Sequence, residues 1–350
     1  MNRFLMWELR EMKRSYWCFL ILASLILLLL SGCEDNKELK IFKMTGAAQG
    51  TYYAITYCSD NNENLQPAVD SLLKQFDKSV SSYLPTSVIS RLNNNDTSVT
   101  ADPIYETIFR KSMEVSANTD GAFDVTVGPL VNAWGFGFKK KEKVTKAVID
   151  SLLPLVGYKK IQLSKGKLIK TDPRIRVDFD GIAQGYTCDW LALFFESKGI
   201  HNYLLDVGGE VLARGNKPDG QLWSVAIELP AKNAEDERQI KTILLLKDKA
   251  ITTAGSYRKY YEENGIRYSH TIDPSNGYPV KHSLLSVTVV ADDCITADAY
   301  DTVFMVMGLE KSKAFLVNHP ELQVYFISDD QHGGFTVFYT PGFEKLIKQN

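Results

Sequence analysis

The chain has 350 residues, of which 45% are apolar and 11% are aromatic, so it holds enough material for a sizeable core and is not expected to be disordered. Its 40 basic and 42 acidic side chains give a net charge of −2. Binding to a nucleic-acid backbone needs a concentrated basic surface, so this balance argues against a nucleic-acid partner. Small molecules and proteins remain as partner classes.

The N-terminus has the pattern of a lipoprotein signal peptide. Basic residues at positions 10, 13 and 14 precede an apolar run over 16–30, and a Ser-Gly-Cys sequence ends the run at Cys33. The run is short for a permanent membrane span and stands next to small residues, and the Cys33 thiol is suited to lipidation. The pattern therefore predicts cleavage before Cys33 and attachment of the mature chain to a membrane through lipid.

This reading divides the chain into a signal peptide over 1–32, a lipidated tether over 33–40 and a globular domain over 41–350. An uncleaved N-terminal anchor helix is the alternative, and translation from Met12 would give a signal of more usual length. Each alternative places the globular domain outside the cytoplasm. Three further cysteines, Cys58, Cys188 and Cys294, are an odd number that cannot form a complete disulfide framework, so the core must supply the stability.

Hydrophobic periodicity predicts helices and strands in mixed order. The strand and helix segments in chain order are a strand over 50–57, helices over 65–76, 105–119, 146–156 and 185–198, strands over 203–207, 223–227, 240–246 and 285–290, and a helix over 297–307. Turns are expected at Gly208-Gly209 and at 218–220. Strands grouped in the second half, with helices throughout, favour an α+β fold over a repeating βαβ barrel. The expected unit is one compact domain, which could have two lobes.

Two glycine- and carboxylate-rich stretches lie in the middle of the chain. The stretch 120–136 is equally consistent with a capped helix entrance and with a binding site. In the stretch 177–186 a strand-like run passes through glycines into a helix, whose N-terminus is a place where phosphate can bind. It matches neither a dinucleotide fingerprint nor a P-loop. The nearby 206–210 is by default a turn between strands.

A third stretch, 269–279, places His270 and Asp273 before a Pro-Ser-Asn-Gly turn. A lone histidine is more often structural than catalytic, but one beside an acid and a rigid turn can serve as an acid, a base or a phosphate partner. In the fourth stretch, 296–302, Asp298 and Thr302 are four residues apart and share one helix face. Their oxygens suit Mg²⁺ rather than zinc, although acids that favour a helix dipole are an equal alternative.

Read together and in order, these stretches resemble the ApbE family of FAD:protein FMN transferases. Further matching segments are 50–51, 82–87, 206–210 and 253–257, so that the resemblance covers essentially the whole mature chain. The resemblance implies an α+β, T-fold-related catalytic unit in a lipoprotein or exported protein. It also implies a Mg²⁺-dependent transfer of FMN from FAD to a Ser or Thr hydroxyl, with release of AMP. The acceptors would be flavoproteins such as subunits of membrane redox complexes or exported reductases.

The resemblance also implies roles for single residues. It implies that the side chains of Asp298 and Thr302 bind Mg²⁺ together with backbone oxygens of Gly181 and Asp301, and that Tyr83 packs on the flavin. Residues expected to contact FAD are Gln49, Tyr83, Ala122, Phe123, Asp124, Asp178, Gln184 and Ile272. His270 matches the histidine on which transfer in the family depends. We expect it, oriented by Asp273, to accept the proton of the acceptor hydroxyl or to organise the transferring phosphate.

Two positions depart from the family pattern. The family usually has Met at the position of Gln49 and Lys at the position of Gln184. The missing lysine charge predicts weaker affinity for FAD or a greater dependence on the metal. Two other functions stay open at this point: a FAD pyrophosphatase that releases FMN and AMP, and a lipoprotein that binds FAD without chemistry.

Overall fold

The computed structural model describes Trp17 and residues 39–137, 144–230, 239–255, 260–263 and 266–349. The chain divides into two compact units, Met1–Leu39 and Lys40–Asn350. Most of the first unit, including the predicted signal peptide and Cys33, lies outside the described residues. In the described part of the chain, no helix has both the length and the apolar character needed to cross a bilayer.

The second unit alternates helices and strands along the chain. The helices are α1 (Gln66–Val80), α2 (Val88–Asn93), α3 (Pro103–Asn118), α4 (Gly128–Ala133), α5 (Lys146–Leu152), α6 (Ala183–Ser197), α7 (Cys294–Met307), α8 (Leu309–Leu316) and α9 (Pro341–Glu344). The strands are β1 (Lys40–Ala48), β2 (Thr51–Ser59), β3 (Ile161–Ser164), β4 (Lys167–Lys170), β5 (Tyr203–Val207), β6 (Glu210–Arg214), β7 (Trp223–Glu228), β8 (Ile240–Leu246), β9 (Lys249–Gly255), β10 (Tyr260–Glu263), β11 (Ile266–Ser269), β12 (Leu284–Ala291), β13 (Gln323–Asp329) and β14 (Phe335–Tyr339).

An eight-stranded antiparallel sheet organises the unit. Its strand order is β1-β2-β5-β6-β9-β12-β13-β14, and the pairs β3-β4, β7-β8 and β10-β11 form separate two-stranded sheets. Side chains alternate between the two sheet faces, since successive residues of a strand point to opposite sides. On β13, Val324 and Phe326 join the main core with the helices, whereas Tyr325 and Ile327 join a second core with Trp223 of β7. Both faces of the sheet are therefore covered.

Helices α6 and α7 carry the main core against one face of the sheet. They pack on each other, and α7 also packs on β9 and β12. Large aromatic side chains from both helices, including Phe195 and Phe304, are fully buried. Because these two helices also begin at the stretches 177–186 and 296–302, their packing brings two distant parts of the sequence to one place.

The structure confirms the predicted α+β class. The strand predicted over 203–207 and the strand predicted over 240–246 have the observed bounds, and the turn at Gly208-Gly209 joins β5 to β6. The helix predicted over 146–156 ends at Leu152 and continues as a short 3-10 turn over Leu153–Leu155, since Pro154 cannot donate a backbone hydrogen bond. Cys58, Cys188 and Cys294 are buried and free.

Candidate active site

A cleft of about 320 Å³ lies where the loops before α4 and α6 and the turn after β11 meet helix α7. It is lined by residues of all four stretches that the sequence singled out. The predicted site residues that line it are Ala122, Phe123, Asp124, Asp178, Gly181, Gln184, His270, Ile272, Asp298, Asp301 and Thr302. Residues separated by up to 180 positions thus share one concave site, which is the arrangement expected of a ligand-binding cleft.

A glycine lets α6 and α7 approach closely at the floor of this cleft. The Gly185 N–H, at the start of α6, donates to Oδ2 of Asp298 on α7 at 2.7 Å. A Cβ on residue 185 would lie 2.6 Å from the Asp298 Cβ and would overlap the Cys294 carbonyl oxygen. A residue without a side chain is therefore required at this crossing.

We expect Gly185→Ala to lower the free energy of unfolding by about 1–3 kcal/mol, because the added methyl group overpacks the contact between helices. Urea unfolding followed by circular dichroism measures this loss. Gly199→Ala, just past the end of α6, is the comparison: a Cβ there meets nothing within 4 Å, and only its φ of +72° opposes the side chain. That variant should lose about 1 kcal/mol, and equal losses in both variants would contradict the packing argument.

The second and third turns of α7 present grouped oxygen atoms to the cleft. Asp298 and Asp301 are buried, with 6% and 3% of their surfaces exposed, and Thr302 Oγ1 lies 3.4 Å from Asp301 Oδ1. Gly181 contacts this group, because a Cβ there would lie 3.2 Å from Thr302 Oγ1. The predicted metal-binding residues are therefore neighbours in space.

Burial raises the pKa values of both carboxyl groups. Loss of solvent raises the pKa of Asp298 to about 7, opposed by the hydrogen bond from Gly185 and reinforced by the charges of Asp189 and Asp180. Burial likewise holds the pKa of Asp301 well above its usual range, and the nearby Asp298 charge adds to the effect. Two buried acids that resist ionisation are the kind of pair that a bound cation stabilises in its charged form.

This donor set fits a hard cation. Within the described ranges, no three His, Cys, Asp or Glu side chains are grouped so that they could hold a metal by themselves. Two carboxylates with a threonine hydroxyl and backbone oxygens provide oxygen ligands only, which Mg²⁺ accepts while it keeps some of its water. The absence of nitrogen and sulfur from this group makes it a poor match to zinc.

The loop over 120–127 forms a second wall and is held by a buried network. Asp124 Oδ1 accepts from the Thr126 N–H and hydroxyl at 2.8 and 2.6 Å, and its Oδ2 accepts from the Tyr158 N–H at 2.6 Å. The Thr126 hydroxyl also accepts from the Gly157 N–H at 2.7 Å. Both oxygens of Asp124 are thus engaged with the protein, so its contribution to the cleft is to shape the loop that carries Phe123.

Asp178 and Asp180 form an acidic pair beside Gly181. Asp178 Oδ1 accepts from the Asp180 N–H at 2.9 Å. Burial, followed by the Asp180 charge, raises the pKa of Asp178 to about 8. Tyr83 lies close enough for both charges to contribute, after burial, to raising the pKa of its phenol, and its side chain is 66% exposed. Tyr83 does not line the cleft itself, and its exposed ring stands beside this pair.

The raised pKa of Asp178 predicts a pH-dependent stability. The folded protein holds a proton that the unfolded chain, with an ordinary pKa near 3.9, releases. Stability therefore falls as pH rises from about 4 to about 8 and levels off above the folded pKa. Asp178→Asn removes this ionisation. In EDTA and without FAD, the melting temperature of the variant relative to the wild type should therefore increase from about pH 6 to about pH 9. A constant difference over that range would contradict the assignment.

His270 lines the cleft from the turn that follows β11. Its ring contacts Phe136 edge-on, with ring centroids 6.3 Å apart. Trp134 stabilises this turn, because its Nε1–H donates to the Gly277 carbonyl at 2.8 Å. A small separate core that includes Leu130, Trp134 and Ile272 supports this wall.

Asp273 has a different place from the one predicted. Its Oδ1 accepts from the N–H and hydroxyl of Ser275 at 2.9 and 2.7 Å, and its Oδ2 accepts from the Asn276 side chain at 2.6 Å. It is not among the residues that line the cleft. These contacts show that Asp273 stabilises the turn that follows His270. Both of its carboxylate oxygens are used there, in place of the expected pairing with His270.

Gln49 and Gln184 depart from the family pattern; Gln184 is the second residue of α6, and Gln49 contacts the same helix. Gln49, with a φ of +53° in the β1-β2 turn, donates from Nε2 to Thr187 Oγ1 at 2.7 Å and does not line the cleft. Gln184 lies in the cleft with its amide against Gly208, where no Cβ could be accommodated. Gln184 therefore has direct access to a bound ligand, and Gln49 acts on the helix behind it.

Two acidic residues were missed by the sequence analysis as site residues. Asp180 and Glu210 line the cleft, and so do Thr253 and Gly255 at the end of β9. Each lies in a segment that the family resemblance included. The available signal was the density of acids and glycines in those segments, but it did not show which side chains face inward.

A cleft that brings together a histidine, grouped acidic oxygens and apolar side chains such as Phe123 defines an enzyme-type site in an α+β fold. The profile of the ApbE family matches residues 49–326, and the chain belongs to this family. This confirms the family predicted from the sequence.

Several named proteins are similar to this chain along nearly its full length. The chain is 34% identical over 340 residues to the FAD:protein FMN transferase of Vibrio cholerae serotype O1, with 94% of this chain and 99% of the relative covered. Its structure is similar to the flavin transferase ApbE from Vibrio cholerae, with a TM-score of 0.79, 32% identity and coverage of 88% of this chain and 99% of the other. The apo flavinyl transferase ApbE of Pseudomonas stutzeri matches with a TM-score of 0.79, 30% identity and coverage of 90% and 99%.

Proposed function

We propose that this protein is an FAD:protein FMN transferase that attaches FMN to a Ser or Thr hydroxyl of a flavoprotein. The acceptor oxygen forms a bond to the phosphorus of the FMN half, the bond to the AMP phosphate breaks, and AMP leaves. The observation that carries the proposal is that His270, Phe123 and the Asp298-Thr302 pair line a single cleft. Such a cleft can hold a flavin against apolar groups while its diphosphate meets polar ones.

We propose that Mg²⁺ is held by the side chains of Asp298 and Thr302, with backbone oxygens of Gly181 and Asp301. When bound, the ion would neutralise negative charge on the diphosphate, which is the main electrostatic demand of phosphoryl transfer. The support is the oxygen-only donor set and the two buried carboxyl groups with raised pKa values. The buried Gly185–Asp298 hydrogen bond fixes one carboxylate oxygen and leaves the other for a ligand.

His270 would take the proton of the acceptor hydroxyl. A free Ser or Thr is a poor nucleophile, so a base within hydrogen-bond reach speeds attack. The Phe136 ring and the turn held by Trp134 give the imidazole a defined position. The exposed ring of Tyr83, beside Asp178 and Asp180, offers a surface on which the flavin could stack.

We propose further that the mature protein is anchored by lipid at Cys33 outside the cytoplasm, where its acceptors would be membrane redox-complex subunits or exported reductases. The Ser-Gly-Cys sequence after the apolar run supports this location. Metabolic labelling with a radioactive fatty acid should mark the wild-type protein and leave Cys33→Ala unlabelled. Labelling of the Cys33→Ala protein would contradict the anchor site.

The catalytic proposal is tested with purified protein, FAD and Mg²⁺, with and without a candidate acceptor flavoprotein bearing Ser or Thr sites. We expect a fluorescent, denaturation-resistant flavin band on the acceptor and one AMP released for each FMN attached. Equal release of free FMN with and without the acceptor would indicate a FAD pyrophosphatase. Tight FAD binding without turnover would indicate a binding protein only.

The position of Gln184 in the cleft allows a gain-of-affinity test. Gln184→Lys returns a positive charge next to the bound dinucleotide, so we expect KM for FAD to fall by about threefold to tenfold, as for one added charge-assisted contact. Lys159→Gln alters a charge in a second 3-10 turn, Tyr158–Lys160, and Lys159 does not line the cleft. This variant serves as the control and should leave KM unchanged. An unchanged KM in Gln184→Lys would show that this position does not meet the anionic part of FAD.

A further inference from the structure

Helices α6 and α7 cap each other's N-termini through two acidic side chains. In one direction, the Gly185 N–H of α6 donates to Asp298 of α7 at 2.7 Å. In the other direction, the Cys294 and Ile295 N–H groups of α7 donate to Oδ1 and Oδ2 of Asp189 on α6 at 2.9 and 2.8 Å. The N–H groups in the first turn of a helix have no acceptor within that helix. Here each helix supplies acceptors for such N–H groups of the other helix.

Helix α7 does not depend on Asp189 for its N-cap. The helix has its own N-cap residue, Asp293, whose Oδ1 accepts from the Thr296 N–H at 2.9 Å. Asp189 comes instead from a neighbouring helix and engages the two preceding amides with both of its oxygens. Its distinctive contribution is therefore a link between the helices, made one turn away from Asp298.

The geometry of this link connects Asp189 to the site. Asp189 does not line the cleft, whereas Asp298 does. Ile295 and Asp298 are separated by three residues, or about 4.5 Å along a rigid helix, so a shift of the first turn moves Asp298 by a similar amount. Ligand groups must be held to within about 0.5 Å of their productive position. A helix fastened at Cys294 and Ile295 can meet that tolerance.

We infer that Asp189 is a positioning residue that fixes α7 on α6 and thereby aims the Asp298 carboxylate at the bound cation. The inference rests on the proposed function, because it takes Asp298 as a ligand of Mg²⁺. Asp189 itself contacts neither the ion nor the substrate. Its role is comparable to that of the outer residues that orient metal ligands and whose loss weakens metal binding.

The test is calorimetric titration of the full mature chain with Mg²⁺ alone, combined with the melting temperature of each variant. Asp189→Ala removes both acceptors and should weaken Mg²⁺ binding by about tenfold. Asp189→Asn keeps one acceptor oxygen and a similar volume, so it should fold well and show a smaller loss of affinity. Asp293→Ala removes a cap from the same helix end without cutting the link between helices, so it should lower the melting temperature and leave the Mg²⁺ affinity within about twofold of the wild type.

Asp298→Ala in the same experiment separates the two levels of the proposal. If Asp298→Ala loses Mg²⁺ binding while both Asp189 variants bind as the Asp293→Ala protein does, Asp189 is only a structural cap and the inference is overturned alone. If Asp298→Ala binds Mg²⁺ as tightly as the wild type, the proposed metal site is wrong and the inference falls with it. Graded loss in the order Asn, then Ala, at position 189 supports the positioning role.

Discussion

Replacing Asp298 by asparagine is expected to reduce FMN transfer by about 10³-fold or more and to remove its dependence on Mg²⁺. In the proposed metal site, losing this carboxylate removes a negative ligand of Mg²⁺. The charge stabilisation that a metal supplies amounts to several kcal/mol, and each 1.4 kcal/mol corresponds to a factor of about ten in rate. The amide oxygen of asparagine can still accept from the Gly185 N–H, so the crossing of α6 and α7 is preserved. Initial rates over a Mg²⁺ series measure the effect.

Asp292→Asn is a matched control for that variant. Asp292→Asn removes one negative charge, as Asp298→Asn does, at a position just before α7. Asp292 is exposed, and its carboxylate pairs with the Lys249 ammonium group at 2.5 Å. An exposed ion pair contributes little, so activity and metal dependence should stay at the wild-type level. Activity of Asp298→Asn within tenfold of the wild type, with an unchanged Mg²⁺ response, would remove Asp298 from the proposed metal site.

His270→Ala is expected to lower the turnover number by about 10²–10⁴-fold, which is the usual contribution of a general base. Binding of FAD should change little, because the apolar wall and the grouped oxygens remain. Single-turnover transfer to the acceptor measures the chemical step, and quenching of flavin fluorescence measures binding. A loss of binding equal to the loss of turnover would make His270 a substrate-binding residue instead.

His332→Ala controls for removal of an imidazole. His332 is exposed in the turn between β13 and β14, and it does not line the cleft. Its transfer rate should equal that of the wild type. Near-normal transfer by His270→Ala would leave proton removal from the acceptor without a base on this wall of the cleft, and the mechanism proposed for this site would have to be abandoned.

Local signals indicated the four stretches that line the cleft, whereas the resemblance to the ApbE family supplied most of the individual residues. The spacing of Asp298 and Thr302 on one helix face depends only on helix geometry, and it is found in the second and third turns of α7. The passage from a strand-like run through glycines into a helix at 177–186 is likewise a local pattern, and α6 begins there. Such features are visible in sequence because they involve residues within one turn of each other.

The hydrogen-bond partners of individual acidic side chains were not visible in this way. Asp273 and His270 are three residues apart, and proximity alone favoured a catalytic pair, but the Asx-type turn through Ser275 and Asn276 takes both carboxylate oxygens. Asp124 is similarly engaged by Tyr158, which is 34 residues away. A side chain with several possible hydrogen-bond partners is assigned only when the backbone around it is known.

The sequence by itself determined the α+β class, through the periodicity of short segments, and the family with most of the candidate residues, through motifs that resemble the ApbE family. Only the tertiary structure decided which of those residues face the cleft. The antiparallel sheet brings β9 beside β12, and the close approach at Gly185 sets α6 against α7. These placements follow from packing and hydrogen bonds between segments more than 100 residues apart, such as Gly185 with Asp298, and no local pattern encodes them.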